Sequence, residues 1–90
     1  MLEDADLDAA VEAAAFGAFF NQGQICMSTE RLIVVDAVAD AFVEKLARKA
    51  ETLRAGDPRG EGNVLGTLIN RESGRNSTPC WTTLNSMALV

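Results

Sequence analysis

The residue best suited to covalent chemistry is Cys26, at the end of the run Phe20-Asn21-Gln22-Gly23-Gln24-Ile25-Cys26. A thiolate, not a thiol, is the nucleophile, so such a cysteine depends on amide dipoles or positive charge to lower its pKa. The chain contains no histidine. That removes Ser-His and Cys-His couples together with the commonest zinc ligand. Chemistry at Cys26 must therefore be activated without imidazole. Read in isolation, a cysteine beside apolar residues is more often inert packing. Glu30 places a carboxylate four residues further on, but next to Arg31 it reads as a solvated or paired strand entrance rather than a general base. Met27 suits a pocket wall and a gap-filling core position equally well. The second cysteine, Cys80, has no comparable surroundings, and could serve as a redox partner only with its Cα within about 7 Å of that of Cys26.

The bulk properties narrow the setting. Ninety residues, 48% of them hydrophobic and 23% charged, allow one soluble globular domain at most. A net charge of −5 and a pI near 4.5 argue against a nucleic-acid partner, which normally meets a basic stripe. Two cysteines are too few for a secreted disulfide scaffold. Met1 to Asp6 opens acidic without a basic n-region, and Ala13 to Thr29 is too short and polar to span a bilayer. A cytoplasmic protein with no membrane partner is the natural expectation.

The elements that would position Cys26 follow from periodicity. Asp4 or Asp6 can cap a helix in which Leu7, Val11, Ala14, Ala15 and Ala18 recur at helical spacing. From Ala13 to Phe20 no side chain is polar, so this helix expects cover on every side. Asn21 to Gln24 ends or loosens it, with Gly23 able to take positive φ. Arg31 to Asp36, continuous in apolar character and β-branched at Ile33, Val34 and Val35, predicts a strand buried on both faces of a parallel sheet. Ala37 to Leu53 predicts a second helix, with Val38, Phe42, Leu46, Ala50 and Leu53 on one side and an Asp40–Glu44–Arg48 ladder on the other. Gly56-Asp57-Pro58 stops it, and a glycine-studded loop follows from Arg59 to Gly66. Leu68 to Ser73 starts another element that Gly74 interrupts. The fold class expected is α/β, as helix, cysteine loop, strand, helix.

With these residues in order, the chain resembles the aldehyde dehydrogenase superfamily. Phe20, Asn21, Gly23, Gln24 and Cys26 match its cysteine motif. Leu7 to Val11 resembles the helix before that motif, Ser28 to Val34 the strand after it, and Phe42 to Leu46 with Gly56-Asp57-Pro58 the next helix and its stop. The resemblance covers about Leu2 to Arg75 and is highly specific. It implies that Cys26 attacks an aldehyde to form a thiohemiacetal, that a hydride passes to NAD or NADP, and that water hydrolyses the resulting thioester. The Cys26 amide would be an oxyanion donor. Asn21, Gly23 and Gln24 would support the cysteine loop. The run Ile25 to Arg31 looks closest to the bacterial branch acting on benzaldehyde, vanillin or salicylaldehyde, in a parent expected to be a homo-oligomer.

The same resemblance implies that much is missing. The family's Glu-Leu-Gly-Gly base would fall just before Leu2, its oxyanion-hole asparagine and nucleotide-binding sheet further upstream, and the glutamate holding the nicotinamide ribose well after Val90. Residues that bind the cofactor are therefore unknown, and no metal site is expected. Arg59-Gly60-Glu61-Gly62 looks one residue longer than usual, and Thr67 stands where proline is common. Beyond Asn76 the resemblance stops where a shifted frame or truncated gene would stop it. Residues 1–75 thus read as part of a catalytic domain and 76–90 as an unmatched tail, disordered or frame-shifted. The isolated chain is expected to be inactive. Two other functions fit the residues: a small α/β interaction module contacting partners through Ala37 to Leu53, and a thiol redox protein using Cys26 and Cys80.

Overall fold

A computed structural model describes residues 1–76. Helix α1 spans Leu7–Phe19 and α2 spans Asp36–Thr52. Asp6 settles the choice of cap: its carboxylate accepts from the Asp8 and Ala9 amides at 3.0 and 3.1 Å. That satisfies two N–H groups that a helix start otherwise leaves unpaired. The second helix starts at Asp36, whose charge suits the positive end of the helix, and ends as Leu53 turns extended. Thr52 Oγ1 meets the Lys49 carbonyl at 2.7 Å in the last turn.

The two helices pack face to face. Val11, Ala14 and Phe42 form the buried cluster, with Met1, Leu7, Ala10, Val34 and Leu46 partly buried around it. Phe42 is only 2% exposed. Burying an aromatic side chain of this kind contributes about 1.5–3 kcal/mol. Ion pairs run along the rim of this contact, Lys45 with Asp8 and Lys49 with Glu12 at 2.6 Å. Asp8 and Glu12 are one turn apart, as are Lys45 and Lys49, so the pairs fix the helices' relative register more than their stability. The Glu44–Arg48 pair forms as its spacing predicts, at 2.5 Å.

The expected strand does not form. Among the described residues there is no β-strand, and the fold is helical with one isolated bridge between Ala55 and Leu65. Arg31 to Val35 carries the right side chains, but a strand needs a lateral backbone partner, and a single pairing is not stable alone. What it has is Met1: the Met1 amino group donates to the Ile33 carbonyl at 2.5 Å and the Val35 amide to the Met1 carbonyl at 3.2 Å. Those two bonds straddle Val34 in the pattern of a parallel bridge. Val34 faces the core, but Ile33 is 85% exposed, so burial on both faces is not achieved either. The α/β class read from the sequence is thus not realised here as a sheet.

After α2 the chain turns around Asp57. Its carboxylate accepts from the Arg59 amide at 2.9 Å and from the Arg59 guanidinium at 3.0 and 2.7 Å. The Arg59 side chain, then its amide, hold the Asp57 carboxyl below its ordinary range, and Arg59 is raised in return. A depressed carboxylate favours this turn while it is ionised, so the turn loosens as pH falls below the carboxylate range. Gly74 does not interrupt the last element: 71–76 is helical through it. Asn70 explains this, since its Oδ1 accepts from the Ser73 amide at 2.8 Å as a cap would. The tail from Ser77 onward lies outside the described residues.

Two substitutions test this packing. Phe42→Ala should cost about 3–5 kcal/mol, the usual loss for emptying an aromatic core site. In a core this small, urea titration followed by circular dichroism should then lose its cooperative transition. A retained midpoint would show that α1 and α2 are held by something else. Gly17 of α1 tests the return of the chain, because the Thr29 amide donates to the Gly17 carbonyl at 2.9 Å. A Cβ at Gly17 would lie 2.4 Å from Thr29 Oγ1 and 3.3 Å from Thr29 Cβ. Gly17→Val should therefore destabilise by about 1–3 kcal/mol, as overpacking does, despite valine's lower backbone entropy cost. An unchanged melting temperature would mean that Thr29 does not cross there.

Candidate active site

The site is the segment between the two helices. Phe20, extended at the C-cap of α1, hands over to a tight turn in which Asn21 (φ 49°), Gln22 (φ 58°) and Gly23 (φ 71°) are all left-handed. Gly23 was the residue expected to take positive φ, and it does. Asparagine enters this region readily, but glutamine has no such preference. Each left-handed non-glycine residue costs roughly 1–2 kcal/mol, so the turn persists only where its surroundings hold it.

Hydrogen bonds supply that hold. The Asn21 carbonyl accepts the Gln24 amide at 3.0 Å and the Gln24 side-chain amide at 3.5 Å, while Asn21 Nδ2 donates to the Gln24 carbonyl at 3.4 Å. Gln22, with its amide oriented to match its neighbours, donates to the Asn21 carbonyl at 3.2 Å and accepts the Gly66 amide at 2.7 Å. Gln24 Oε1 accepts the Ile69 amide at 3.0 Å. Ser28 Oγ reaches back to the Gly23 carbonyl at 3.1 Å.

Cys26 projects from the next turn. The Ser28 amide donates to the Ile25 carbonyl at 3.0 Å, which makes Cys26 and Met27 the two central residues of a β-turn. Cys26 is a free, exposed thiol. Its backbone N–H meets no acceptor among the described residues and is available to an outside oxygen. Beside the turn, Phe16, Gly17, Phe20, Ile25, Met27 and Ser28 line an apolar cavity of about 50 Å³. Phe16 and Phe20 stack with ring centroids 4.9 Å apart, yet remain 66% and 54% exposed. A larger apolar groove of about 250 Å³ continues past Phe19 to Leu53 and Val64. The all-apolar stretch of α1 thus has uncovered surface, as its lack of a polar face led one to expect.

The structure brings Asn21, Gly23, Gln24 and Cys26 together in one loop, joined by Gln22, which sequence reasoning passed over. Its only sequence signal was a second amide two residues from Gln24. Glu30 and Arg31 are both exposed and form no ion pair with each other among the described residues. Cys80 lies outside the described residues. The N-termini of α1 and α2, the ends of a helix that favour a pyrophosphate, carry Asp6, Asp8 and Asp36. Among the described residues no group of three or more acidic or cysteine side chains could hold a metal, and no helix is long and apolar enough to cross a membrane.

Comparison with known proteins places this geometry. The model of the aldehyde dehydrogenase family matches residues 1–80. A vanillin dehydrogenase of a Pseudomonas species is 76% identical over 75 residues, covering 83% of this chain and 15% of that protein. A salicylaldehyde dehydrogenase of Pseudomonas putida is 55% identical over 75 residues, covering 82% and 16%. The crystal structure of an NAD-dependent benzaldehyde dehydrogenase from Corynebacterium glutamicum superposes with a TM-score of 0.71 at 48% identity, covering 87% of this chain and 17% of the other. The chain thus spans about 15% of the length of the curated relatives it matches. With a family match over nearly its whole length and a fold shared with a solved member, this chain belongs to the aldehyde dehydrogenase family.

Proposed function

We propose that this chain is the nucleophile segment of an NAD(P)-dependent dehydrogenase that oxidises an aromatic aldehyde to its carboxylic acid. The observation that carries the reading is the turn at Cys26, which presents from one residue an exposed thiol and an amide that meets no acceptor among the described residues. The Cys26 thiolate adds to the aldehyde carbon, and the carbonyl electron pair moves onto oxygen. The Cys26 N–H donates to the oxyanion as it forms, an interaction stronger in the transition state than before it. NAD or NADP, bound by other parts of a full-length dehydrogenase, would supply the hydride acceptor. Loss of hydride leaves a thioester on Cys26, which water cleaves to the acid and the free thiol. Splitting the oxidation this way replaces one hard step with two easier ones.

Relatives named for vanillin, salicylaldehyde and benzaldehyde support an aromatic substrate. So does the apolar wall of Phe16, Phe20, Ile25 and Met27 beside the turn, which suits a ring better than a charged chain. The segment from Arg31 to Val35 is proposed to be a strand of a parallel sheet in the longer protein, as the Met1–Val34 bridge pattern suggests. Residues 1–75 would then be part of an α/β catalytic domain, with 76–90 outside its fold.

In a full-length dehydrogenase carrying this segment, Cys26→Ser should remove turnover, because a serine hydroxyl without a histidine base is a far weaker nucleophile. More than a small residual rate would assign the nucleophile elsewhere. The 90-residue chain alone, given benzaldehyde and NAD, should form no NADH. Loss of one oxyanion donor costs about 10²–10³ in rate, loss of the base roughly another 10²–10⁴, and without a cofactor site the oxidation has no acceptor. Growth of the NADH absorbance band would show the chain to be a complete enzyme.

A further inference from the structure

The left-handed turn before Cys26 is held from outside by a second segment. Gly66 and Ile69, three residues apart in the loop that follows the Asp57 turn, both aim their backbone amides at side chains of the cysteine loop. Gln22 Oε1 accepts the first at 2.7 Å and Gln24 Oε1 the second at 3.0 Å. The two glutamines flank Gly23, so the two anchors bracket the residue about which the chain reverses. Inside the loop they converge again, since the Asn21 carbonyl takes donors from both side chains. The anchors lie more than forty residues away in sequence (45 from Gln24 to Ile69). Local propensity cannot supply this restraint, because Gln22 sits at a φ of 58° that its residue type disfavours.

We propose that Gln22 and Gln24 are positioning residues, which clasp the Gly66–Ile69 segment and so fix the turn that presents the Cys26 thiol and amide to the aldehyde. This rests on Cys26 being the nucleophile. A catalytic group displaced by even about 1 Å can lose on the order of 10²-fold in rate, so a loose clasp should act on the chemical step more than on binding. Neither glutamine touches substrate in this account; both act through the backbone of residues 21–26.

The test uses a full-length dehydrogenase carrying this segment. Gln24→Met keeps the length of the side chain but removes the acceptor for the Ile69 amide. It should lower kcat at least tenfold while KM for NAD stays within twofold and the melting temperature within a few degrees. The rate of Cys26 alkylation by iodoacetamide at fixed pH, followed on the Cys26 peptide by mass spectrometry, should change as the turn that presents the thiol loosens. Gln24→Glu restores an oxygen acceptor at the same reach and should recover at least a third of the lost rate. The Gln22→Met/Gln24→Met double variant should be slower than either single variant. If Gln24→Met leaves kcat and the alkylation rate unchanged, or lowers kcat only in step with melting temperature, the clasp is not a positioning device. A Cys26→Ser control separates the two claims: an active C26S enzyme overturns the nucleophile reading, whereas an inactive C26S beside an unaffected Q24M enzyme overturns the clasp alone.

Discussion

Phe42 is the contact on which the remainder of the structure depends. It belongs to α2 and is buried against Val11 and Ala14 of α1. Everything with chemical interest lies on the chain between those two helices, so the cysteine loop is strung across the gap that Phe42 closes. The ion pairs of Lys45 and Lys49 with Asp8 and Glu12 then fix how far one helix can slide along the other. Exposed pairs such as these contribute little energy, about 0–1 kcal/mol each. Their value is in register, and register sets where the loop begins and ends.

Given those fixed ends, the loop must reverse sharply within a few residues. It does so by the left-handed run Asn21 to Gly23, then by the β-turn carrying Cys26, and finally by pressing Thr29 against the helix face at Gly17. Within the turn, the Cys26 amide meets no acceptor among the described residues. In the proposed reaction, a nucleophile and an oxyanion donor on the same residue would need no separate alignment once the turn is rigid. Rigidity is therefore the quantity the site conserves. It is supplied by Asn21, Gln22, Gln24 and Ser28 rather than by the cysteine's immediate neighbours, which are free to shape an apolar wall.

Much of this was legible in the residues. Helical periodicity located α1 and α2 to within a residue or so, because apolar spacing and an aspartate cap act locally. Val11, Ala14 and Phe42 were on the faces expected to be buried. The motif singled out Cys26, which the structure presents as an exposed thiol. What local pattern could not convey was anything that needs a distant partner. The side chains of Ile33, Val34 and Val35 specify a strand, but backbone pairing is decided by whatever runs alongside, and only Met1 does so among the described residues. Gln22 escaped notice for the same reason, since its role depends on Gly66. Gly74 reads as a breaker because a glycine costs a helix about 1 kcal/mol, yet the helical stretch 71–76, capped at its start by Asn70, runs through it.

The central claim is that Cys26 carries the acyl group during turnover. The direct measurement is a single turnover of a full-length dehydrogenase carrying this segment, with NAD and benzaldehyde, quenched in acid before the thioester hydrolyses and digested for peptide mass spectrometry. The account predicts a benzoyl group on the Cys26 peptide, replacing the thiol hydrogen, formed in step with one equivalent of NADH and lost as benzoate appears. A benzoyl group found on another residue, or NADH formed with no acyl group on any peptide, would contradict it.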